Sequence, residues 1–279
     1  MRKEVLLLGL TLLMALAVMA ADKPPRERIT ALVTQVQCAD YEGDRAALKR
    51  LYQELAPFAE DKRLGDKVRY WRGFALWRRA INGVNETVER RELQQDLEQA
   101  AAEFEESAKK SPAFVDAKIG AIGALGLFLF LDLKSGTATL EFNNPARAQA
   151  LIAKVTQLMK EAQAAEPDNP RLMWVLGPNV YSAPPERGGP DKAIELYLKG
   201  LKTIRAAKPK TPQPHDALTP TWGEPELLMS LAWTNLNRSQ PDLAAAERYA
   251  RAALALVPHW HYVKDILLPQ IAAAQAKRT

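Results

Sequence analysis

The sequence predicts an all-α chain of antiparallel helix pairs packed side by side, about eleven helices in all. Three observations carry that reading. No segment alternates apolar and polar residues for long enough to form a strand. Apolar residues recur at spacings of three and four, in blocks punctuated by Gly and Pro. Two residue templates also return along the chain. One reads large, large, small: Trp71, Phe74, Ala75; then Met173, Leu176, Gly177; then Leu228, Leu231, Ala232. The other reads small, aromatic, small, proline: Ala100, Phe104, Ser107, Pro112. It returns as Ala193, Tyr197, Gly200 without the proline, and as Ala246, Ala250, Ala253, Pro258 without the aromatic.

Each element has its own signals. Residues 21–28 contain Pro24 and Pro25 and are expected to be a linker. Ile29–Cys38 and Asp44–Ala56 form a first helix pair, turned at Gly43 and stopped by Pro57. Asp66–Asn82 and Glu89–Lys110 are two strong helices, the second ended by Ser111-Pro112. Phe114–Leu133 follows and is the most apolar stretch; Ile119–Leu131 carries no charge, and Gly120, Gly123 and Gly126 recur every three residues. Its uncharged core falls short of the roughly 20 residues a membrane span needs, so it is expected to be a buried central helix. Asn144-Pro145 opens a helix stopped by Pro167. Asp168–Leu201 is a helix pair joined by the Pro/Gly-rich stretch Pro178–Pro190. Lys208–Glu224, with Pro209, Pro212, Pro214 and Pro220, is a long loop. Helices from Pro225, from Asp242 and over Trp260–Lys277 complete the chain.

The two templates resemble the tetratricopeptide repeat, W-x2-L-G-x2-Y…A-x3-F-x2-A-x4-P, over roughly residues 66–258. The turn Gly188-Gly189-Pro190-Asp191-Lys192-Ala193 is similar to those of exported bacterial members of that family. The chain departs from the pattern where Arg78, Gly123, Val180 and Asn235 replace the late aromatic of the first helix. The resemblance implies a right-handed superhelical stack over residues 29–279, with first helices lining a concave surface that binds proteins or peptides. Physically, one helix pair cannot bury its apolar stripes alone, so pairs must stack.

Composition is that of an ordinary globular protein, 47% hydrophobic and 25% charged. A net charge of +5 spread over 279 residues is too weak to imply nucleic acid. Residues 1–20 read as a signal peptide: Arg2 and Lys3, then the apolar run Val5–Met19, then Val18 and Ala20 as a small-x-small cleavage signal. The mature chain is therefore expected in the bacterial periplasm or outside the cell, with no stable membrane span. Cys38, the single cysteine, can form no internal disulfide and is expected to be a buried structural thiol.

No catalytic constellation is legible, so the chain is expected to be non-enzymatic, with no cofactor. His259 and His261 are adjacent but one on a helix and point to different faces, which argues against a metal site. Binding residues are sought on the first helices. Arg69, Arg72 and Arg79 share a stripe with Leu76; the same register gives Arg171, Trp174 and Tyr181, then Trp233. Arginines beside aromatics suit an acidic peptide or a terminal carboxylate. Arg187 joins this set from the Pro178–Pro190 stretch, which is expected to share a functional rim with the other turns inside pairs, opposite Lys208–Glu224. The expected function is a scaffold for a protein or peptide partner. A small-molecule receptor is the alternative, and a deep apolar pocket would favour it over an open groove.

Overall fold

Pro25 opens the first helix, because its fixed φ suits a helical first turn, where its missing N–H would go unpaired anyway. The computed structural model describes residues 25–86, 88–134, 141–207 and 216–277. The expected signal segment 1–20 lies outside them. Helix α1 spans Pro25–Glu42, so the described part of the expected linker, residues 25–28, is helical. There follow α2 (Arg45–Glu54), α3 (Gly65–Val84), α4 (Arg90–Lys110), α5 (Val115–Asp132), α6 (Pro145–Ala165), α7 (Pro170–Ser182), α8 (Pro190–Ala206), α9 (Glu224–Asn237), α10 (Leu243–Leu256) and α11 (Leu268–Ala276). A 3-10 turn, Ala56–Phe58, follows α2, and a π turn, Tyr262–Leu267, leads into α11. No strand forms among the described residues; Leu133 and Phe142 make an isolated antiparallel bridge.

Most neighbours in sequence pack together: α2 on α3, α3 on α4, α4 on α5, α5 on α6, α7 on α8, α8 on α9 and α9 on α10. Alternate helices touch as well, α1 with α3, α3 with α5, α5 with α7 and α7 with α9. From α1 to α9 each odd-numbered helix thus touches the next, and α4 and α8 each pack against two of them. Small residues set these approaches. A Cβ on Gly120 would overlap the Phe104 ring of α4, one on Gly123 would overlap Trp77 of α3, and one on Gly177 would overlap Tyr197 of α8. The no-charge segment of α5 is buried over its first half, with Ile119, Ile122 and Ala124 shut from solvent, and opens at Phe130 near its end. No described helix is long and apolar enough to cross a membrane.

Three local expectations change. Cys38 is exposed, not buried. The inward stripe of α1 is Ile29, Val33, Val36 and Asp40, and Cys38 lies about 200° of helix beyond Val36. Helix α7 continues through Pro178 to Ser182, so the loop there begins later than expected; Pro178 forfeits one bond, to the Trp174 carbonyl. Residues 216–223, in the described part of the long loop, contribute two side chains to the core. Leu218 and Trp222 are buried; the Trp71 indole donates to the Leu218 carbonyl at 2.9 Å, and the Trp222 indole donates to the Tyr70 hydroxyl at 2.7 Å.

The two ends of the helical region also meet. The Tyr41 ring of α1 packs edge-on against Trp260 at 5.1 Å, and its hydroxyl donates to Glu226 of α9 at 2.9 Å. Gly43, at φ 73°, makes the turn after α1 and lies against the His261 ring.

Replacing Gly177 or Ala100 with Leu should overpack these helix contacts and cost about 1–3 kcal/mol each. Urea or thermal denaturation checks this; unchanged midpoints for both would reject the packing register.

Candidate functional site

Between α3, α5, α7 and α9 lies a cleft of about 480 Å³, a size typical of small-molecule sites. Its inner wall is Trp77, Trp174, Tyr197 and Met229, with Ile122 and Val175 beside them. The glycine series of α5 explains the opening. Gly120 and Gly123 are filled by Phe104 and Trp77, but a Cβ on Gly126 would meet nothing within 4 Å. Beyond Gly126 the cleft reaches solvent at Phe130, 63% exposed, and Val84, 41% exposed. These two apolar side chains flank the mouth, at the last turns of α5 and α3.

Trp174 sits at the seam of the molecule. It packs against both apolar cores, the one built on α1–α6 and the one built on α8–α11. Its ring lies edge-on to Trp77 at 5.7 Å and to Trp222 at 5.4 Å, and its indole donates to the Ser230 hydroxyl at 3.0 Å. Tyr181 stands edge-on to Trp233 at 5.1 Å and donates to the Asn237 carbonyl at 2.9 Å. Such edge-to-face pairs hold rings in fixed orientations, so the aromatic walls are preformed.

One charged side chain borders this apolar space. Arg78 is 2% exposed. Its Nε lies 2.7 Å from both oxygens of Asp40, and its Nη2 lies 3.8 Å from Glu226. Glu226 also accepts from the Gly223 amide at 2.7 Å and from Tyr41. Asn82 donates to the Asp40 carbonyl at 3.0 Å. Burial pushes the carboxyls of both Asp40 and Glu226 above their usual range, although Arg78 pulls the other way. The Arg78 Nη1 is buried without a hydrogen-bond partner.

The residues named from sequence divide. Trp174, Tyr181 and Trp233 line the cleft. The arginines do not gather there; acids of neighbouring elements engage them. Arg69 pairs with Glu60 and, at 2.9 Å, with Glu103. Arg72 meets Glu103 through two nitrogens, at 2.9 and 2.7 Å, and donates to the Tyr52 carbonyl. Arg79 pairs with Asp96 and with Glu92. Arg171 binds Asp116 in a two-pronged pair at 2.6 and 2.9 Å. Arg187 is exposed on the turn before α8 and is not among the cleft residues. The sequence held the signal for this: Glu92, Asp96 and Glu103 form a stripe at helical spacing, running antiparallel to Arg79, Arg72 and Arg69. It also held Asp40 and Glu226, acids inside otherwise apolar stripes. Among the described residues, no group of three His, Cys, Asp or Glu is placed to hold a metal ion.

Compared with known proteins, the chain matches no family model and no curated protein. Its functional reading therefore rests on the cleft itself.

Glu226 makes a test of the buried cluster. A carboxyl whose folded pKa is raised binds more protons folded than unfolded, so its stabilisation is full below the ordinary range, about 4.3, and is lost as pH rises through the folded pKa. Wild-type stability relative to Glu226→Gln should therefore decline from pH 4 to pH 8. Urea titrations of both proteins across that range check it; a constant difference would place Glu226 at its ordinary pKa.

Proposed function

We propose that this chain is a non-enzymatic, tetratricopeptide-like binding protein whose cleft receives the apolar part of a small ligand. The observation that carries the reading is the half-open apolar cleft between α3, α5, α7 and α9, with preformed aromatic walls and a buried arginine beside it. Such a site suits a small molecule better than an acidic peptide, because the arginines that would meet acidic residues are already paired. The repeat reading is supported by the register of small residues: Gly177, the small position of the first template, lies under Tyr197, the aromatic position of the second. In this reading the odd helices are the inner helices of a right-handed stack, and residues 216–223 fill part of its concave side.

Binding of a protein partner is a second reading. Phe130 and Val84 favour it, since two exposed apolar side chains at a cleft mouth suit an inserted apolar side chain. In either reading the chain acts after export, in the periplasm or outside the cell.

Gly126→Leu tests the site. The added side chain enters open space, so folding should survive within about 0.5 kcal/mol, while binding of the uncharged probe N-phenyl-1-naphthylamine should be lost. Undiminished probe binding by a folded variant would move the site elsewhere. Export has its own check: mass spectrometry of the envelope form should find an N-terminus at Ala21 or Asp22, and an intact Met1 there would refute it.

A further inference from the structure

We propose that the ligand of this cleft is a protonated amine with an apolar body, its N–H donated to the side-chain oxygen of Asn82 and its body held among the rings of the inner wall. The inference rests on the cleft being the binding site and adds the chemistry of the occupant.

The seat follows from the orientation of one amide. Asn82 lines the cleft one helical turn after Arg78. Its Nδ2 donates to the Asp40 carbonyl at 3.0 Å and lies 3.3 Å from the Asp40 carboxylate. Both of those groups are acceptors, so the amide cannot be turned the other way: its nitrogen faces Asp40 and its oxygen faces away. That oxygen accepts from no described residue, yet it is not shut from solvent. It is an acceptor of fixed direction, open to an occupant. The Arg78 Nη1 is the opposite case, unpaired but closed to solvent, so the guanidinium acts on an occupant through its field and not by contact.

The sign of the charge follows from what stands behind that oxygen. Asp40 and Glu226 both face the single Arg78 guanidinium. A guanidinium so buried keeps at least one carboxylate beside it, so the cluster is neutral with one carboxyl ionised and negative with two. The lining holds no other Lys or Arg, and no Asp or Glu. Helices α3 and α7 end at the mouth, at Val84 and Ser182, and neither has Lys, Arg or His in its last turn to meet the negative end of its dipole. An ammonium meets a favourable field there, and a carboxylate or phosphate an unfavourable one. Asn85, Asn179 and Ser182, exposed around the mouth, can each turn an oxygen to the remaining N–H groups. They donate as readily as they accept, so they fit the ammonium without selecting it.

The body follows from the wall. Trp77, Trp174, Trp233 and Trp260 line the cleft together with Tyr197 and Tyr262. Aromatic rings attract a cation and also pack against apolar surface, so one wall serves both parts of such a molecule.

The test uses the full chain at pH 7.5 and four probes that share a phenylalkyl body: 4-phenylbutylammonium, 4-phenylbutanol, 5-phenylpentanoate and 4-phenylbutyltrimethylammonium. Displacement of N-phenyl-1-naphthylamine is the readout. The primary ammonium should displace at about a tenfold lower concentration than the alcohol or the trimethylammonium, the usual value of a hydrogen bond made by a charged group. The carboxylate should be the weakest of the four. Equal or greater potency of the alcohol or the carboxylate overturns the positive head. Equal or greater potency of the trimethylammonium, which keeps the charge but has no N–H, overturns the seat on Asn82. Both results leave the cleft as the site, as does failure of all four to displace a dye that Gly126→Leu excludes, which overturns the proposal alone. Dye binding that Gly126→Leu leaves intact overturns the cleft and the proposal together. Asn82→Leu ties the ranking to the residue: in a folded variant the primary ammonium should fall to the level of the trimethylammonium. A lead that persists there overturns the seat. Should that variant fail to fold by circular dichroism, the wild-type probe series decides.

Discussion

Arg78 lies where three parts of the chain converge. Its own helix is α3, Asp40 comes from α1, and Glu226 comes from α9. None of these charges reaches water, so each depends on the others for the interactions that solvent would have given. Removing one partner from such a cluster leaves the rest uncompensated, a change that typically costs about 3–5 kcal/mol. The cluster therefore fixes the relative placement of α1, α3 and α9 more sharply than apolar contact could, since apolar packing has no direction. The Tyr41 hydroxyl and the Gly223 amide, both donating to Glu226, extend this control to the turns flanking α1 and α9.

That placement leaves room for the cleft. Helix α5 is packed tightly at Gly120 and Gly123, where large rings from α4 and α3 fill the missing side chains. At Gly126 no ring arrives, and the same spacing that closes two contacts opens the third. Trp174 spans the gap between the two apolar cores, and Trp222, from a segment between helices, backs it from the side of α3. The walls of the cleft are thus structural residues, positioned by packing that has to form in any case.

Helix order and most boundaries were legible in the sequence because they follow from local signals: Pro at first turns, Asp44, Asn144 and Asp242 as caps, and Gly43 at a left-handed turn. Periodicity also gave the correct faces. What it could not give was the partner of each face. Arg69, Arg72 and Arg79 share a stripe as expected, but whether that stripe meets solvent or acids depends on the helix laid against it, and α4 carries the acids. Of the candidate site, Trp174, Tyr181 and Trp233 were found because aromatics at inner positions are informative wherever the helices pack. Arg78 was missed because it stands where the repeat pattern wants an aromatic. The segment 216–223 was missed because prolines outweighed Leu218 and Trp222 in reading it, although a tryptophan inside a proline-rich run is itself a sign of burial.

The contact between Tyr41 and Glu226 joins residues 185 positions apart. In an open array of repeats each unit touches its neighbours alone, so units can be added, lost or frayed from an end with modest effect. Here Tyr41 of α1 is bonded to α9 and packed against Trp260, so the start of the described helices is fastened to their last third. Duplicating or deleting a helix pair would separate Tyr41 from Glu226 and Trp260 at a stroke. Such a chain is expected to diversify by changing side chains within its set number of helices, and to melt as one unit instead of unravelling from its ends.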